Sequence, residues 1–137
     1  MGRSAHGARW RREPIIVCVG ESALMTNDPA PLFEEISELL AAPRSGDEAP
    51  PLAHVEDTLT AGYAQALALE AERWRIERRL GEVAAKLRDD KSELKTDEIA
   101  ALAARLSDAD GELTRLRALL ATLRTRASDL RVADAAQ

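Results

Sequence analysis

The chain is poor in the groups that most enzymes and many binding proteins are built from. Aromatic residues make up 3% of its 137 residues, which argues against a broad globular core, since such cores draw much of their buried area from large rings. Its one cysteine, Cys18, has no partner within the chain for a disulfide, and the chain lacks the clustered Cys and His of a zinc site. A lone Cys18 fits a reducing cytoplasm, the expected location. Of the two histidines, His6 lies near the start and His54 stands alone, so neither has the converging polar partners that acid–base chemistry needs. The seven glycines are scattered and form no phosphate-cradling loop. No apolar run approaches the about 18 residues that span a bilayer. These absences predict no catalytic, cofactor or metal site, no small-molecule substrate and no membrane insertion.

What the chain has in quantity is Ala, Leu and charge. Charged residues are 31% of the total and the net charge is −5, with acids and bases interleaved. Such a surface repels a phosphate backbone on average, which disfavours nucleic acid as a partner. The basic run Arg73, Arg75, Arg78 and Arg79 is interleaved with Glu70, Glu72, Glu77 and Glu82. At helical spacing these become local ion pairs on a solvated face.

Two long apolar stripes dominate. The first runs Leu52, Val55, Leu59, Gly62, Ala66, Leu69, Arg73, Ile76, Leu80, Val83, Leu87. The second runs Ile99, Leu102, Leu106, Ala109, Leu113, Leu116, Leu120, Leu123, Ala127, Leu130. Steps of three and four repeated over several turns signal helices that bury a narrow seam against a partner helix. Two helices of matched length joined by a short polar break fold back most simply as an antiparallel pair. The expected fold is all-α: a long antiparallel coiled-coil hairpin over residues 52–133, its turn near 89–96, with a frayed tail at 134–137. Thr96 is the expected N-cap of the second helix, with Asp97 and Glu98 beside its positive end. The register predicted from the stripes pairs Leu87 with Ile99, Leu80 with Leu106, and Gly62 with Leu123.

Two breaks interrupt the pattern. Arg73 stands in the first stripe, where its stem can lie along the seam and its guanidinium can reach Asp110 or Glu112. Ser107–Gly111 is poor in helix formers, yet the apolar phase passes through it, so a continuous helix is expected.

Ahead of the hairpin, residues 30–42 form a short candidate helix with Leu32, Phe33, Ile36, Leu39 and Leu40 on one side. Asp28 and Pro29 suit its start, and Pro43–Pro51 reads as a linker within a 25–51 segment. Residues 1–24 read as a disordered or mis-annotated leader; without its two acids and four arginines, totals of 24 and 19 fall to 22 and 15.

Tyr63, Leu67 and Trp74 lie beside the first stripe, and Leu119 falls at the same level of the second. A two-helix seam leaves them exposed, and an exposed apolar patch usually marks a contact surface. The short helix is expected to dock near the middle of the hairpin, laying Phe33, Ile36 and Leu40 over Tyr63, Leu67 and Trp74. A second copy of the chain or another protein are the alternative occupants. Function is therefore expected to be noncatalytic: a scaffold, adaptor or holdase-like module presenting helix faces to itself or to a protein partner.

Asp89, Asp90, Glu93, Asp97 and Glu98 gather acidic charge at the expected hairpin tip. In this architecture, over about 80 residues, the chain is similar to Gre-type transcript cleavage factors, whose hairpins carry acidic tips toward the catalytic magnesium of RNA polymerase. The likeness implies an alternative function as a transcription regulator acting through Asp89, Asp90 and Glu93. It includes no residue-by-residue motif, and Arg88, Lys91 and Lys95 dilute the acidic charge.

Overall fold

The computed structural model describes residues 28–89 and 93–136, and every regular element among them is helical. Helix α1 is Ala30–Ala41, α2 is Leu52–Asp89 and α3 is Glu93–Ala135. The expected leader, residues 1–24, lies outside the described residues. So do residues 90–92, the centre of the expected turn. The two long helices pack together as a hairpin requires.

Helix α3 starts four residues before the predicted boundary, so Thr96 lies inside the helix rather than capping it. The segment Lys95-Thr96-Asp97 contains neither proline nor glycine, and the intrinsic cost of Thr or Asp in a helix is below about 0.7 kcal/mol. That is too little to stop a helix whose following residues are anchored by packing. The soft segment Ser107–Gly111 is helical throughout, as its unbroken apolar phase predicts.

Two compact units divide the chain. One runs to Tyr63 and takes the chain up again from Leu119; the other is Ala64–Ala118. In the second unit Ile76, Val83 and Leu102 form a buried cluster against which Leu80, Ile99 and Leu106 pack. Antiparallel order shows in the ion pairs along this seam: as one helix advances from Glu72 to Arg79, its partners retreat from Arg105 to Glu98. Arg73 behaves as its seam position predicts. Its Nε lies 3.0 Å from Asp110 Oδ1 and 3.2 Å from Glu77 Oε1, so the charge is met at the rim of the seam.

The first unit contains α1, the start of α2 and the end of α3. Val55, Leu59, Leu120, Leu123 and Ala127 are buried there, together with Phe33, Ile36 and Leu39 of α1. Gly62 is required by its surroundings: a Cβ at this position would lie 2.2 Å from Leu120 Cδ2. This contact corrects the predicted register, in which Gly62 opposed Leu123. Ile99, expected against Leu87, packs in the cluster that holds Val83.

Arg126 is a buried charge that the unit accommodates fully. Its guanidinium donates to the carbonyl oxygens of Leu40 at 2.9 Å, Ala42 at 3.2 Å and Leu39 at 3.4 Å. Leu39 and Leu40 belong to the last turn of α1 and Ala42 caps its end, where carbonyls have no partner within the helix and the dipole favours positive charge. A planar five-donor group suits three such acceptors. Glu35 of α1 also pairs with His54 Nε2 at the start of α2. These contacts correct the predicted docking of the short helix near the middle of the hairpin: α1 is held at His54 and Arg126, and its apolar side is buried within this unit.

Three expectations follow. Gly62→Ala gains about 0.5–1 kcal/mol of helix propensity but overpacks Leu120 at a cost of about 1–3 kcal/mol, so urea unfolding should show a net loss near 1 kcal/mol. Gly111→Ala, where a Cβ meets nothing within 4 Å, should instead stabilise by about 0.5–1 kcal/mol. Arg126→Met should cost about 1.5–3 kcal/mol, the range for hydrogen bonds to a charged group. It should speed hydrogen exchange in α1 more than tenfold while leaving the amides of residues 70–85 unchanged.

Candidate functional site

Most of α2 is accounted for by its seam. Every apolar member of the first stripe is buried or half-buried, as is every member of the second. What the seam does not use is the opposite side of α2. Leu67 is 67% exposed and Trp74 58%, and Tyr63, in the other unit, is 43% exposed. Leu119 is half-buried.

Tyr63, Leu67 and Trp74 are thus exposed, and the cover expected for them lies elsewhere. Phe33 and Ile36, expected over them, are buried in the unit that contains α1, and Leu40 is half-buried there. Arg126, which anchors α1, escapes a reading based on apolar spacing alone. Its available signal is an arginine between Leu123 and Ala127, a charged side chain interrupting a buried phase.

The surface around Leu67 and Trp74 is built from small and neutralised residues. Ala64, Ala71, Gly81 and Ala85 are all exposed, and they fall with Leu67 and Trp74 on one side of α2 at steps of three and four. At Gly81 a Cβ would meet nothing within 4 Å. The Arg78 guanidinium lies over the Trp74 ring, 5.3 Å from its centre, within cation–π range.

The basic run on this helix is neutralised locally, as its interleaving predicts. Arg75 Nη2 lies 3.0 Å from Glu72 Oε2, and Arg78 and Arg79 each lie 3.7 Å from Glu82. Across the seam, Arg105 Nη2 reaches Glu72 Oε1 at 2.7 Å and Arg79 Nη2 reaches Glu98 Oε1 at 2.8 Å. Glu70 pairs with Arg117. Exposed pairs of this kind contribute little each, about 0–1 kcal/mol, but they remove free positive charge from the helix.

Glu72 is the centre of this network. The hydrogen bond from Arg75 holds its carboxyl below the ordinary value, opposed by partial desolvation and reinforced by Arg105. Of the expected acidic tip, Asp89 is exposed at the end of α2, whereas Asp90 and the side chain of Glu93 lie outside the described residues. Among the described residues, no group of three or more His, Cys, Asp or Glu side chains is arranged to hold a metal ion, and no helix is long and apolar enough to cross a membrane. Comparison with known protein families, with characterised proteins and with solved structures gave no match to this chain.

The lowered Glu72 carboxyl gives a pH dependence of definite sign. Its contribution is present above the unfolded value of about 4.3 and is lost as pH falls through the lower folded value. Thermal unfolding between pH 6 and pH 3 should therefore show a declining midpoint, and Glu72→Gln should flatten part of that decline. An unchanged slope in the variant would remove Glu72 from the account.

Proposed function

We propose that this chain is a noncatalytic coiled-coil interaction protein of the cytoplasm, a scaffold or adaptor that presents the outer face of α2 to a protein helix. In this reading α2 and α3 supercoil about their 3-4 seam, and that seam is the rigid support for the face rather than the contact itself. The observation that carries the proposal is the exposure of Leu67 and Trp74 among alanines and glycine on a helix otherwise covered by ion pairs. A tryptophan buries about 150–250 Å² when covered, so leaving one in water forgoes a large favourable term. Small neighbours let an approaching backbone come close, as knobs-into-holes packing requires. Recognition of this kind lays an apolar helix stripe against another, with anchors spaced at i, i+4 and i+7.

The test is photo-crosslinking from this face in living cells of the native host. A benzophenone side chain at position 67 should give discrete protein adducts, and the same group at the exposed position 101 of α3 should give few. Equal labelling from both positions would contradict the proposal.

A further inference from the structure

We propose that the occupant of this face is the same face of a second copy of the chain, packed antiparallel about a two-fold axis at Trp74. The inference rests on the reading of α2 as a docking helix and names its partner.

The face is complementary to itself only in this orientation. Around a two-fold axis at position 74, residues equally distant on either side face each other across the interface. Seven residues away in each direction stand Leu67 and Gly81, so each leucine meets the partner's Gly81. Four residues away stand Glu70 and Arg78, so each carboxylate meets the partner's Arg78. A parallel pairing would set leucine on leucine, glycine on glycine and arginine on arginine.

Gly81 supplies an independent argument. A glycine in mid-helix is unfavourable relative to alanine, and a Cβ at Gly81, as at Gly111, would meet nothing within 4 Å; what sets Gly81 apart is its place on the Trp74 face, at the same distance from Trp74 as Leu67. The molecule already shows what a helical glycine is for at Gly62, which admits the Leu120 side chain where a Cβ would lie 2.2 Å from it. Leu67 entering the partner's Gly81 repeats that device between chains. Ala71, exposed beside Leu67 and Trp74, adds no bulk that would hold the two helices apart. At the rim, Arg78 already lies over Trp74, and at the axis the exposed indole meets the partner's Trp74 while Arg78 extends toward the partner's Glu70. Glu70 also holds Arg117 of its own chain, so its carboxylate accepts from both guanidinium groups.

The experiment uses the full chain with Cys18→Ser and two single-cysteine variants, Leu67→Cys and Gly81→Cys. Both sites are exposed, and unchanged circular dichroism confirms the fold. Mixed and mildly oxidised, the two variants should form a 67–81 disulfide dimer at least tenfold faster than either alone forms a homodimer. In sedimentation equilibrium the unsubstituted chain should show a concentration-dependent dimer, and Trp74→Ala should raise its dissociation constant at least tenfold. A monomer at every concentration, or faster crosslinking of Leu67→Cys with itself, would overturn the inference. The benzophenone at position 67 separates the two levels: an adduct of twice the chain mass supports self-pairing. An adduct only with a different protein overturns self-pairing and leaves the docking role standing, and no adduct overturns both.

Discussion

The close approach of Gly62 to Leu120 is the constraint from which the rest of the structure follows. Two helices packed by side chains lie about 8–10 Å apart. At this level one of them presents no side chain, so the leucine of the other seats against its backbone. A leucine seated in that way cannot slide by a turn without meeting the Cβ of the next residue. The contact therefore sets which residues face each other in the unit that holds α1, the start of α2 and the end of α3. Within the same unit Arg131 reaches Glu56 at 2.9 Å, in keeping with antiparallel order.

Around that contact the buried polar side chains of Arg126 and Thr58 are both hydrogen-bonded. Arg126 is a cation placed where a helix ends, so the cost of burying it is offset by three carbonyls that would otherwise lack partners. Thr58, also buried, donates its hydroxyl to the His54 carbonyl one turn earlier. Helix α1, of 12 residues, is too short to be stable alone. It persists because its apolar side is buried and its end is capped by a residue 86 positions away from Leu40.

How much of this was legible in the sequence depends on the kind of signal. The two stripes name nearly every seam residue because helical periodicity is a local property: Val55, Leu59, Ile76, Leu113 and Leu123 all lie where their spacing puts them. Register was not legible, because apolar residues recur at every turn of both stripes, and only a contact such as Gly62 against Leu120 distinguishes one pairing from the next. The docking of α1 was misplaced for a related reason. Apolar surface attracts without direction, so Phe33 and Ile36 fit Trp74 and the seam's end equally well on hydrophobic grounds. What decides between them is Arg126 and His54, polar partners whose geometry appears only when the chain is folded. The face at Leu67 and Trp74 was legible as a patch, since both residues fall outside the seam phase. The meaning of Gly81 emerged only from comparing its open surroundings with the crowded ones of Gly62.

The central claim is that α2 and α3 of one molecule pair antiparallel, leaving the far side of α2 free. Its most direct test is the distance between spin labels at Thr60 and Thr125, both exposed, in samples diluted with unlabelled chain so that only pairs within one molecule are read. Side-by-side helices about 10 Å apart predict a narrow distribution below about 30 Å. A distribution centred near 100 Å, the length of about 65 residues of continuous helix at about 1.5 Å each, would contradict the pairing and everything derived from it.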